Sequence, residues 1–141
     1  MPDLLLLEPR RDAAALARRH VRTAMLDWGL DDLLDPVLLL TSELVTNALL
    51  HSGTWITVLV VRDGLGVRVT VGDGSSVPPV RRRRSASAST GRGVQLLGAV
   101  ADGWGWDPVG DGKEVWFRLL SAAGWGGDTA PDARAQAQAD R

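Results

Sequence analysis

Asp35-Pro36-Val37-Leu38-Leu39-Leu40-Thr41-Ser42-Glu43-Leu44-Val45-Thr46-Asn47-Ala48-Leu49-Leu50-His51-Ser52-Gly53 is the stretch on which the reading of this chain turns. Asp35 offers a helix cap and Pro36 suits the first helical position, where a missing N–H costs nothing. Ser52-Gly53 supplies the stop. Leu38, Thr41, Val45, Ala48 and Leu49 fall on one arc and are expected to pack on a sheet. Glu43 and Asn47 are four residues apart and therefore project from one side, one turn from each other, with His51 continuing the row. A carboxylate and a carboxamide so placed offer two oxygens to a hard cation, and Mg²⁺ takes one or two protein oxygens, completing its shell with water and phosphates. Two polar residues at this spacing also suit a solvated helix face, and spacing alone leaves both readings open.

On either side of this helix the pattern alternates between helical and extended. Leu4 to Leu7 reads as an edge strand. Asp12 is placed to cap a helix from Ala13 to about Trp28, with Gly29 ending it. Trp55 to Val61 is β-branched and continuous, Arg62-Asp63-Gly64 is a hairpin signal, and Leu65 to Val71 returns with Val67, Val69 and Val71 on one face. That strand ends at Gly72-Asp73-Gly74, where glycines let a backbone approach a ligand and Asp73 can accept from an exocyclic amine; a plain Asp-Gly turn explains the same residues. The segment from Ser75 to Thr90, which carries the basic run Arg81 to Arg84, looks irregular and reads as a lid, a binding loop or a disordered segment. Gly91-Arg92-Gly93 precedes a helix over 94–101, and amides at a helix start attract anions. Trp104 to Pro108 and Glu114 to Leu120 form a second hairpin across Val109 to Gly112. The order predicts an α+β fold, a two-layer α/β sandwich with a mixed, mainly antiparallel sheet and helices on one face. Residues 1–120 form the domain and 121–141 read as a disordered tail.

With 141 residues the chain has room for one core. The absence of cysteine removes disulfides, thiolate metal sites and a thiol nucleophile. His20 and His51 make no metal-ligand pattern. A net charge of −1 gives no global pull toward nucleic acid. The N-terminus lacks a signal-peptide pattern, and no apolar stretch reaches the roughly 18 residues of a membrane span, so a cytoplasmic location is expected.

Glu-x-x-x-Asn-Ala on a helix, a hairpin ending in Asp-Gly, a long loop, Gly-x-Gly at a helix and Gly112-Lys113 in a last hairpin, in this order, resemble the GHKL ATP-binding family, the Bergerat fold. Within that family the likeness is to the small actinobacterial anti-sigma-factor serine/threonine kinases, over roughly Leu4 to Leu120. The resemblance implies ATP and Mg²⁺ as cofactors. Asn47 would coordinate Mg²⁺, and Glu43 would be the general base toward a serine hydroxyl or water. Asp73, beside Gly74, would bind adenine N6. Gly91, Arg92 and Gly93 would lie along the phosphates, and Lys113 would belong to the nucleotide site. His51 is structural on this reading. A sigma factor or an anti-sigma-factor antagonist is the implied partner, with transfer of the γ-phosphate to a serine of the antagonist, and a homodimer is the implied assembly. Neither direct nucleic-acid binding nor a membrane is expected. Ser75, where the family often has glycine, and Glu114, where it usually has threonine near the adenine, keep a second reading open: a non-catalytic protein-binding regulator that holds ATP or ADP weakly. A histidine-kinase catalytic domain would need a dimerisation helix pair that the sequence does not show.

Overall fold

The computed structural model describes residues 3–76 and 95–121. Gly91, Arg92 and Gly93, the Arg81 to Arg84 run, the 77–90 part of the expected lid and the 122–141 tail lie outside the described residues.

Five strands form one sheet: β1 (Asp3–Leu7), β2 (Ile56–Asp63), β3 (Gly66–Asp73), β4 (Gly103–Val109) and β5 (Gly112–Leu120), in the order β1-β2-β3-β5-β4. Every described pair is antiparallel, where a mixed sheet was expected. Among the described residues three α-helical segments accompany it: α1 (Ala13–Asp27), α2 (Leu34–Ser52) and α3, the helical residues 95–100. The helices α1 and α2 pack on each other, and α2 lies on β2 and β3.

Each hairpin closes through two residues. Asp63 pairs with Gly66 and Val109 with Gly112, so the turns are Gly64-Leu65 and Gly110-Asp111. The strands thus run further into the turns than the sequence signals suggested. Gly64 at φ +59 supplies the left-handed first turn residue that matches the twist of the flanking strands. Pro108 is tolerated in β4 because β4 is the edge strand among the described residues, with no described neighbour to miss its N–H.

Strand alternation sorts the side chains as expected. Ile56, Val58 and Val60 of β2, Val67, Val69 and Val71 of β3, and Val115, Phe117 and Leu119 of β5 are buried beneath the helices. Val21 and Met25 of α1 and Val37, Leu40 and Val45 of α2 close the core from above.

Two capping expectations are corrected. Asp12 occupies the N-cap of α1 but makes no side-chain cap bond; it lies 3.8 Å from Arg10 instead. Asp35 is not a cap: a 3₁₀ turn, Asp31–Leu33, feeds straight into α2, whose N-cap is Leu33. Pro36 therefore sits in the first turn, where its missing N–H still costs no helix bond. At the other end Gly53, at φ +63, ends α2 as expected. The helical stretch Asp31–Ser52 is long and apolar enough to cross a membrane, contrary to the count made from sequence, yet in the fold it is the central helix with half of its most apolar window buried.

Ser121 belongs with the folded part. It is 6% exposed, its N–H donates to the Leu65 carbonyl and its hydroxyl donates to Asp32 at 2.7 Å.

Candidate functional site

The helix α2 carries the first half of the site. Glu43 is buried, with Oε2 shielded from solvent, and Asn47, one turn on, is half-buried. For Glu43 the solvated-face reading fails, because a carboxylate merely solvating a helix would be exposed. His51 is exposed at the end of the helix. Beside Glu43, Ser42 accepts a hydrogen bond from Arg18 of α1 at 2.7 Å, which fixes how α1 and α2 meet at this level.

The second half is the end of β3. Register pairs Asp73 with Lys113 of β5, and both side chains point to the helix-bearing face. The Lys113 ammonium donates to both Asp73 oxygens, at 3.1 and 3.0 Å. Asp73 is half-buried as a residue, but its side chain is only 3% exposed and that of Lys113 8%, so the ion pair is shielded from water. The Ser75 N–H adds a bond to Oδ1 at 2.8 Å. Sequence reasoning placed Asp73 and Lys113 in one site but did not foresee that they bind each other. They lie 40 residues apart, and no local pattern encodes the register that joins them.

Glu114, which differs from the expected threonine, points away from this pair. Its register partner is Gly72, one residue from Asp73, and strand alternation turns both to the sheet face that no described helix covers. A side chain on Gly72 would meet Thr57 and the Glu114 stem there, which places Glu114 on that outer face. Glu114 therefore adds no carboxylate beside the Asp73–Lys113 pair.

A hydrogen-bond chain joins the two halves. The Ser52 hydroxyl donates to the Ala48 carbonyl in the last turn of α2 at 2.7 Å. Thr54 reaches Ser52 Oγ through its N–H at 3.2 Å and its hydroxyl at 3.1 Å. The Gly74 N–H donates to Thr54 Oγ1 at 2.8 Å. The end of the Asn47 helix and the Asp73 strand end are thus tied through Ser52 and Thr54. Sequence reading saw Ser52 only as part of a helix stop and did not single out Thr54. The available signal was a Ser-x-Thr directly after a helix, a common local hydrogen-bonding pattern. Glycines make this corner close: a Cβ on Gly112 would fall 2.0 Å from the Asp73 carbonyl oxygen, and one on Gly74 would meet the Thr54 side chain at 3.0 Å.

Glu43 and Asn47 present a carboxylate and a carboxamide to the same side of α2. Among the described residues there is no cluster of three or more His, Cys, Asp or Glu that could hold a metal ion.

No family model and no curated protein matches the chain. Among solved structures it is similar to the crystal structure of the RsbU and RsbW domains of Rv1364c from Mycobacterium tuberculosis, with a TM-score of 0.65 and 20% identity. The fold is that of the RsbW domain. The match takes in 85% of this chain and 32% of that one, so the chain spans about a third of its structural neighbour. At 20% identity the RsbW likeness is one of fold. The sheet with helices on one side, expected from the order of elements, is the shared architecture.

Proposed function

We propose that this chain is an anti-sigma-factor kinase-type regulator that binds Mg-ATP between α2 and the end of β3 and transfers the γ-phosphate to a serine of an antagonist protein. The observation that carries the reading is the tie from α2 through Ser52 and Thr54 to Gly74, which holds the Glu43–Asn47 side of the helix in fixed relation to Asp73. The RsbW-like fold supports the regulator class. In this reading Asn47 holds Mg²⁺, and the metal with its triphosphate supplies charge neutralisation on the transferred group. Glu43 takes the proton from the incoming serine hydroxyl as its oxygen bonds to phosphorus and the bond to the ADP oxygen breaks. Burial suits Glu43 to that role, since a base in a dry site acts on a positioned proton rather than on bulk water.

Asp73 keeps capacity for the adenine amine. Three donors reach it, two from the Lys113 ammonium and one from Ser75, while a carboxylate offers about four lone-pair directions. Gly91, Arg92 and Gly93, outside the described residues, complete the proposal as residues that contact the phosphates. The partners follow as a sigma factor and its antagonist, the location as cytoplasmic and the working unit as a homodimer.

One observation favours a second reading. The shielded Lys113–Asp73 pair and the Ser75 N–H already take three of the roughly four lone-pair directions of the carboxylate that would read the base, and the single direction left suits a non-catalytic regulator that holds nucleotide weakly. Calorimetry with Mg-ATP, followed by radiolabel transfer to candidate antagonists, separates the two. Binding lost in Asn47→Ala, with transfer by the wild type, supports the kinase. Wild-type affinity in Asn47→Ala removes the metal role, and nucleotide binding without transfer to any antagonist leaves the second reading.

A further inference from the structure

Lys113 and Asp73 each have bonding capacity left over once they have bound each other. An ammonium carries three N–H donors and no acceptor. Among the described residues the acceptors that Lys113 reaches are the two Asp73 oxygens, so at most two of its donors are spent and one is left. Asp73 has the complementary remainder. The two Lys113 contacts and the Ser75 N–H take three of its roughly four lone-pair directions and leave one. The two side chains are 8% and 3% exposed, so water has little access to either remainder. An unmet hydrogen-bonding direction on a shielded charged group is costly, and a ligand that supplies the missing partner gains by the same amount.

The strands hold these two remainders side by side. Asp73 and Lys113 are register partners, and both side chains leave the sheet on the helix-bearing face. Their polar atoms are 3.0 and 3.1 Å apart, close enough to meet neighbouring atoms on one ring edge. The backbone around them has little room to drift. Gly112 lets β5 approach the Asp73 carbonyl more closely than any side chain would permit, and the Gly74 N–H is held by Thr54 Oγ1 at 2.8 Å. The corner therefore presents one spare donor beside one spare acceptor in a fixed arrangement.

We infer that Lys113 is a second reader of the nucleotide base: its third N–H donates to adenine N1 while Asp73 accepts from the adenine N6 amine. This rests on the nucleotide site proposed above and gives Lys113 a specificity-determining role in it. Adenine carries exactly one donor group and one acceptor on adjacent atoms of that edge, which matches what the pair has left. Guanine carries an acceptor at O6 and two neighbouring donors, at N1 and N2. Asp73 has one direction left for them, and Glu114 lies on the opposite face of the sheet and offers no second acceptor. One guanine donor would therefore be buried without a partner, the kind of mismatch by which a hydrogen-bonding site rejects an analogue. A donor that carries a full charge makes the N1 contact stronger than a hydroxyl or water would.

Calorimetry on the full chain tests this with Mg-ATP, Mg-GTP and the magnesium complex of 1-deaza-ATP, which keeps the amine but has C–H in place of N1. The wild type should bind 1-deaza-ATP roughly tenfold or more weakly than ATP, the size of a hydrogen bond from a charged donor. GTP should be weaker by at least as much. Lys113→Met, shown to be folded by circular dichroism, should bind ATP and 1-deaza-ATP equally well, because the group that tells them apart is gone. A lysine with only a structural role would lower both affinities together and leave the preference intact. The analogue probes the unaltered protein, so the test holds even where the variant does not fold. If the wild type binds 1-deaza-ATP or GTP as tightly as ATP, or folded Lys113→Met keeps the preference, the role of Lys113 is overturned and the nucleotide site stands. A wild type that binds no Mg-ATP overturns the nucleotide site itself, and this inference with it.

Discussion

Lys113→Met removes the cation from a shielded carboxylate while keeping the length of the side chain. In the structure Lys113 donates to both oxygens of Asp73, with side-chain exposures of 8% and 3%. Water can therefore do little to replace the lost partner, and the Ser75 N–H is what remains. Breaking a buried ion pair from one side typically costs about 3–5 kcal/mol, because it strands a charge. For an ordered core of about 100 residues, each kcal/mol moves the melting temperature by roughly 4 °C, so Lys113→Met should melt about 12–20 °C lower. The double variant Lys113→Met with Asp73→Leu removes both charges and should recover most of that loss, since an apolar pair of similar volume is often neutral or better. Calorimetric melting of the four proteins in the cycle gives the coupling directly. A fall under about 1 kcal/mol in Lys113→Met, the value of an exposed pair, would refute the claim that this corner is sealed, as would a double variant no more stable than the single.

Glu43→Gln should bind Mg-ATP as the wild type does while phosphotransfer falls about 10²–10⁴-fold, the usual contribution of a general base; wild-type turnover in a radiolabel assay would remove Glu43 from the chemistry. The Thr41 hydroxyl is fully buried and has no hydrogen-bond partner among the described residues, so Thr41→Val should stabilise by about 1 kcal/mol in urea melts, and destabilisation would count against that account. Gly112→Ala should cost several kcal/mol, because its Cβ would fall 2.0 Å from a backbone oxygen that cannot swing aside; an unchanged urea midpoint would contradict the close approach.

Local chemistry in the sequence was enough for the elements and for part of the site. Helical spacing put Glu43 and Asn47 on one side of α2, period-two alternation buried Val67, Val69 and Val71, and glycines marked both hairpin turns, because each signal acts within a few residues. What sequence could not decide depends on which distant segments meet. Burial of Glu43 follows from α2 being the central helix, covered by α1 as well as by the sheet. The β3–β5 register, set by packing along two whole strands, binds Asp73 to Lys113 and sends Glu114 to the opposite face. A slip of one residue would exchange those two neighbours between the helix-bearing face and the open face of the sheet. The site's residue types were therefore written locally, whereas their partners and the face each one serves came from tertiary pairing.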